Sequence, residues 1–443
     1  MKLENPFNTA NIRAHIKRRA QLAKTLKQGI VIISTAAEVT RNADAHYEFR
    51  WDSFFYYLTG FREPESVLVI TLGPKPKSIL FCRDKNLERE IWDGFRYGPA
   101  VAQQAFGVDA AYSIDVLDDM LPTLMANQPS IHTPLGVAGN WDSRVTGWLN
   151  AVRAKSRTGI TVPTEIHDLQ AVVAQQRLIK DDHEIALMRR AAVISSDAHR
   201  RAMRVARPGL YEYAVEAELM HEFIKNGARQ AAYGSIVATG ANACVLHYSQ
   251  NNAVIKAGDL MLIDAGCEFE SYAADITRTF PVSGKFNGPQ KAIYELVLAS
   301  QLASIKAVKP GAEFNKYHDL ATKVLAQGLI DLKLCKGTLD SVLEREAYKQ
   351  FYMHRTGHWL GLDVHDAGAY KRNGKSVKLQ AGMVLTVEPG LYIRPAPNVP
   401  KQFWDIGVRI EDDVLVTKTG NDVLTKSCPK TVAEVEAAIA EGN

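Results

Sequence analysis

No two cysteines of this 443-residue sequence stand close enough to make a CxxC pair. The five present, Cys82, Cys244, Cys267, Cys335 and Cys428, are widely scattered and odd in number. That usage speaks against a disulfide framework and fits a reducing compartment. Long apolar runs are missing too. No stretch approaches the roughly 20 apolar residues of a membrane span. The opening "MKLENPFNTANIRAHIKRRAQLAKTL" holds no apolar core of signal-peptide length. Charge of either sign is not in excess. A net charge of +4 gives no support for nucleic acid or an acidic membrane as a partner. What remains is a soluble, cytoplasmic composition, 46% hydrophobic and 23% charged, in a chain long enough for two domains.

The first third alternates helical and strand patterns. "NIRAHIKRRAQLAKTLKQG" repeats apolar residues at helical spacing and stops at Gly29. "IVIIST", "SVLVITLG" and "KSILFCRD" are short β-branched runs of buried-strand type. "QQAFGVDAAYSIDVLDDMLPTLMANQ" predicts a loop followed by a helix. These elements imply an α/β domain over residues 1–176. From "VPTEIHDLQAVV" to "RVARPG" the pattern becomes strongly helical, with Asp181 or Asp182 as a helix cap.

Residues 177–443 contain a weak internal repeat. A long helix ends in a basic-Pro-Gly stop, "RPGLYE" at 207–212 and "KPGAEF" at 309–314, and a second helix follows each. Later in each copy comes an apolar strand, "AGDLMLIDAG" and "AGMVLTVEPG", in which Asp264 aligns with Glu388. Helices followed by antiparallel strands, twice, predict an α+β domain with a pseudo-two-fold axis through its sheet.

A buried strand that ends in a carboxylate needs a partner for the charge. The chain after Asp264 turns near Glu268–Glu270 and returns through Asp275, which would set the two acids on adjacent strands. Either they share a proton or a cation, or one caps a turn and the other pairs with Arg278. The second copy returns through "FWDIGVRIEDDVLVT", where Arg409 and Glu411 share one strand face, as metal-site residues or as a plain ion pair. Four converging carboxylates plus one imidazole make the ligand set of a dinuclear centre, suited to Mn²⁺ and also to Co²⁺ or Zn²⁺. "FYMHRTGHWLGLDVHDAG" can supply the imidazole. It is not an HExxH helix: Arg355 follows His354, and Gly357 and Gly361 oppose a regular helix. It reads as a loop into a short strand.

The segments "GANACVLHY", "LMLIDAGCEFESYAADITRTFPVSG", "MHRTGHWLGLDVHDAG", "VLTVEPGLYI" and "VRIEDD" resemble, in this order, the pita-bread metallopeptidases. "RNADAHYEFRWDSFFYYLTGFREPES" and "EREIWDGFRYG" resemble the non-catalytic domain of the bacterial aminopeptidase P branch. The resemblance implies a two-metal hydrolase that removes the residue before a second-position proline. It makes Asp264, Asp275, His358, Glu388 and Glu411 the ligands, with Asp275 and Glu411 bridging. It makes Glu388 a proton shuttle as well, and His247 and His365 contacts of the substrate and the tetrahedral intermediate. His354, Tyr392 and Arg409 would border the proline pocket. Trp92 would reach the active site of a neighbouring subunit in a homo-oligomer, a dimer or tetramer. A dipeptide-only enzyme (prolidase) and a non-catalytic peptide-binding relative are the alternatives. Where many relatives have glycine after the first histidine of the loop, this sequence has Arg355, either narrowing the pocket or pointing to solvent.

Overall fold

A computed structural model describes residues 9–137 and 139–442. Residues 1–8, part of the segment read above for a leader, lie outside the described residues. The chain divides into two compact units, Met1–Arg177 and Leu178–Asn443.

The N-terminal unit is built on a mixed six-stranded sheet. Its order is Ala110–Ser113, Lys77–Cys82, Val67–Thr71, Ile30–Ser34, Ser130–Thr133, Glu165–Asp168. The three apolar runs recognised in the sequence form central strands. Their alternate residues Ile30, Ile32, Val67, Val69, Ile79 and Phe81 face one way. They pack on the helices Leu117–Met125 and Trp141–Arg153. The segment expected as a loop before Leu117 differs. Gln103–Ala105 end the helix Gly98–Ala105, and Ala110–Ser113 is a strand. That strand is at the sheet edge and only partly buried, so it lacks the apolar signature of the inner strands. The stretch read as wholly helical opens instead with the edge strand Glu165–Asp168, followed by the helix Leu169–Leu178.

In the C-terminal unit Asp181 caps the helix Asp182–Val205. Its side chain accepts from the Glu184 amide, and Glu184 accepts from the Asp181 amide, closing a capping box. The helix Glu212–Lys225 follows the first Pro-Gly stop, and Gly288–Ala307 and Asn315–Asp331 flank the second. Against these helices lie short antiparallel strands. Ile236–Thr239, Leu260–Asp264 and Thr277–Pro281 form one sheet. Val384–Val387 pairs with Asp412–Val416, and Gly390–Ile393 with Ile406–Arg409. The repeated helix–helix–strand succession, with all its strands antiparallel, is the α+β pita-bread architecture. All five cysteines are buried free thiols. No helix among the described residues is long and apolar enough to cross a membrane.

Candidate active site

The first hairpin sets Asp264 opposite Thr277, not opposite Asp275. The same register continues through Glu268↔Ala273 and Phe269↔Tyr272, so Asp275 falls opposite Gly266. The two acids are therefore diagonal neighbours on one face. A glycine is required at 266, because a Cβ there would sit 1.7 Å from the Ala274 carbonyl oxygen. In the second hairpin, Val387↔Asp412 and Gly390↔Arg409 share one register, which brings Glu388 opposite Glu411 just beyond the strand ends.

The two hairpins meet at Thr277. Its hydroxyl donates to Glu411 Oε2 at 2.6 Å, and its carbonyl accepts from the Glu411 amide at 3.1 Å. Asp275, His358 and Glu411 can each bring a ligand atom within 4.8 Å of the other two. His358 Nε2 lies 3.4 Å from Asp275 Oδ2 and 3.6 Å from Glu388 Oε1. Asp264 is held beside them. Its Oδ2 accepts from Arg409 Nη2 at 2.7 Å, and its Oδ1 lies 2.6 Å from the Tyr233 hydroxyl, which also bonds Asp275.

The plain pairings considered from sequence do not form. Arg278 turns away from Asp275 to Asp412, 2.7 Å away and equally buried. Arg409 pairs with Asp264 rather than Glu411. Its Nη1 donates to the Tyr392 hydroxyl at 2.9 Å and its Nε to Thr277 Oγ1 at 3.1 Å. Arg409 thus steadies Asp264 directly and Glu411 through Thr277.

Burial and crowding decide the protonation of these groups. Burial, then repulsion from Asp264, raises Asp275. Burial, then Asp275 and Glu388, pushes Glu411 well above the carboxylate range. Glu388 rises to about 7 through burial and Asp275, although His358 opposes the shift. Burial also works against a charge on Asp264, but Arg409 and the Tyr233 hydrogen bond bring it below its ordinary value. His358 reaches about 9 because Asp275 and Glu388 outweigh its desolvation. Buried acids that repel one another in this way are the setting a divalent cation relieves. Oxygen donors with one imidazole fit a hard to borderline ion.

The histidine run is not a helix. It stays irregular from Tyr352 to Gly368, and in place of the expected strand it makes a single bridge, Trp359↔Leu385. It lies along the strand Val384–Val387, with the Thr386 amide bonded to the His358 carbonyl and the Glu388 amide to the Thr356 carbonyl. Gly357 permits that approach, since a Cβ there would be 2.0 Å from the Thr386 oxygen. The loop is also tied down by Lys180, whose ammonium meets Asp366 at 2.8 Å with both side chains buried.

A cavity of about 890 Å³ is lined by Asp264, His358, Glu388, His247, His354, His365 and Arg409, and at its wall by Phe314, Arg355 and Lys371. A smaller space of about 280 Å³ adjoins the cluster through Tyr233, Asp275 and Glu411. The His365 ring stands edge-on to His358, 4.3 Å between centroids. His354 Nε2 accepts from the Tyr392 hydroxyl at 2.8 Å, and burial with Arg409 lowers this imidazole to about 3, so it is neutral. Tyr392 thus passes a hydrogen bond from Arg409 to His354, but it does not itself line the larger cavity. Arg355, exposed, combines both sequence alternatives: it lines the cavity and bonds Asn315. Trp92 belongs to the helix Leu87–Asp93 of the N-terminal unit and is 83% exposed. Tyr233 and the buried Asp413, whose carboxylate accepts from the Asp275 amide, escaped sequence reasoning. Asp413 was present in the quoted "VRIEDD" run, whereas "AAYGS" around Tyr233 carries no pattern.

Residues 186–418 match metallopeptidase family M24, and residues 15–132 match the aminopeptidase P N-terminal domain. The chain is 43% identical over 424 residues to the Xaa-Pro aminopeptidase of Escherichia coli (strain K12), covering 95% of this chain and 96% of that one. It is 33% identical over 443 residues to Xaa-Pro aminopeptidase 3 of Rattus norvegicus, covering 98% and 85%. The structure of Pseudomonas aeruginosa aminopeptidase PepP superposes with a TM-score of 0.96 at 48% identity, covering 97% and 98% of the two chains. Zn-substituted Escherichia coli aminopeptidase P in complex with product gives 0.95 at 42% identity, covering 98% and 99%. Together with the pita-bread fold and the buried carboxylate–histidine cluster, these matches establish that the chain belongs to metallopeptidase family M24.

Proposed function

We propose that the chain is an Xaa-Pro aminopeptidase, a hydrolase that releases the N-terminal residue from peptides with proline in second position. The observation that carries this reading is the convergence of Asp275, His358 and Glu411 beside Asp264 and Glu388, in a chain 43% identical to an enzyme of that name. Asp264, Asp275, His358, Glu388 and Glu411 would hold two divalent ions, Mn²⁺ foremost, with Co²⁺ or Zn²⁺ able to substitute. Asp275 and Glu411 would serve both ions. Such ions supply an acidified water and a polarised scissile carbonyl.

The chain's own groups do the rest. Glu388 is suited to take a proton from the attacking water and deliver it to the leaving proline nitrogen. His365 and His247, both on the cavity wall, would donate to the oxygen on which negative charge develops. Neutral His354, with Tyr392 and Arg409 behind it, forms a preorganised wall for the proline ring. Proline's nitrogen has no N–H, so recognition of it must come from shape rather than from that donor. Trp92 is an exposed aromatic suited to complete the site of a second copy in a dimer or tetramer. The expected location is the cytoplasm.

The test is to offer the Mn²⁺-loaded protein an Xaa-Pro-Pro tripeptide and an Xaa-Pro dipeptide. Release of free Xaa from the tripeptide, abolished by a chelator, is expected. Cleavage of the dipeptide alone would make the protein a dipeptidase. Cleavage of neither, with no metal bound, would make it a peptide-binding relative.

A further inference from the structure

We propose that Arg355 and Lys371 form a cationic subsite that selects peptides bearing a carboxylate on the C-terminal side of the cleaved bond. The inference rests on the aminopeptidase reading above and deepens it.

Both residues line the same cavity as Asp264, His358 and Glu388. Neither is neutralised by an acid among the described residues. Arg355 donates from Nη2 to the carboxamide of Asn315 at 2.7 Å, and Lys371 makes no ion pair. Lys371 stands on a small hairpin, Lys371–Arg372 paired with Lys375–Ser376, which adds two further cations. Arg409, the other cation on the wall, is already committed to Asp264 and Tyr392. The cavity wall therefore carries uncompensated cations, while its acids belong to the centre that would hold the ions.

A peptide entering an aminopeptidase carries an ammonium at the residue to be released. That group is repelled by Arg355 and Lys371. The cationic wall is left for the part of the peptide beyond the cleaved bond. A cavity of about 890 Å³ has room for that part, since pockets of about 300–1,000 Å³ hold drug-sized ligands. The ligand chemistry is a carboxylate, which a guanidinium fork matches in two bonds. It has two sources: the α-carboxylate of a short peptide, or an Asp or Glu side chain following the proline.

The experiment compares kcat/KM for Ala-Pro-Glu-Ala-amide, Ala-Pro-Gln-Ala-amide and Ala-Pro-Lys-Ala-amide, and for Ala-Pro-Ala as free acid and as amide. The Mn²⁺-loaded wild type, Arg355→Ala/Lys371→Ala and Arg355→Glu are assayed at low and high salt. Ratios within one preparation cancel any difference in the folded fraction. The wild type should favour Glu over Lys by roughly tenfold at low salt, less at high salt as screening shortens to about 3 Å at 1 M. The double variant should bring the ratio near one, and Arg355→Glu should invert it. The amide series reads the side-chain source, and the acid–amide pair reads the α-carboxylate. A wild type indifferent to both, or a double variant that keeps the full preference, overturns the subsite alone. Failure to cleave any of the peptides overturns the subsite and the aminopeptidase reading together.

Discussion

Lowering the pH should cost this protein stability through one buried imidazole, His199. It is fully buried on the helix Asp182–Val205, and its Nε2 donates to the Ala265 carbonyl at 2.9 Å, one residue past Asp264. Desolvation holds it at about 4, against about 6.5 in an unfolded chain. Between these values the unfolded state binds the extra proton, so stability falls as pH falls. The loss amounts to about 2 kcal/mol between pH 7 and pH 5, and to about 3 kcal/mol once the folded-state pKa is passed. Other groups titrate in the same window, so the comparison is with His199→Gln, which keeps an N–H donor but does not titrate. Urea unfolding at pH 7 and pH 5 should show the wild type losing about 2 kcal/mol more than the variant. Equal pH dependence of the two proteins would refute the reasoning.

Other perturbations probe the site more directly. Tyr233→Phe removes the hydroxyl that links Asp264 and Asp275 and should weaken Mn²⁺ binding by about 10- to 100-fold, measured by chelator competition. Gly357→Ala forces a Cβ onto the Thr386 carbonyl, and should cost about 1–3 kcal/mol in unfolding experiments with loss of activity as His358 moves. Lys180→Met removes the ammonium from buried Asp366 and should destabilise by about 3–5 kcal/mol, whereas Lys180→Met/Asp366→Leu should recover most of that. Differential scanning of both variants reads the difference.

The acids of the site were legible because each ends or follows a buried apolar run, where an unpaired charge is anomalous. The alignment of Asp264 with Glu388 comes from the repeat. Register was harder to read. A turn near Glu268–Glu270 sets Asp264 and Asp275 on adjacent strands without fixing which residues face each other; the turn falls at Glu270–Ser271, both at positive φ, which puts Asp275 across from Gly266. Sequence also left the ionic partners open, since Arg278 and Arg409 lie on the strands Thr277–Pro281 and Ile406–Arg409, whose mutual packing no local pattern encodes. Tyr233 lies in a short irregular stretch, so nothing periodic marks it. The edge strand Ala110–Ser113 was missed for a related reason: exposed edges carry little apolar signal.

The central claim is a two-ion centre on five named side chains. Anomalous diffraction from crystals grown with Mn²⁺ tests it most directly. Two peaks are expected, about 3.5–4 Å apart as in two-metal hydrolases, touching Asp264, Asp275, His358, Glu388 and Glu411, with Asp275 and Glu411 reaching both. A peak elsewhere, or none at this cluster in protein saturated with Mn²⁺, would contradict it.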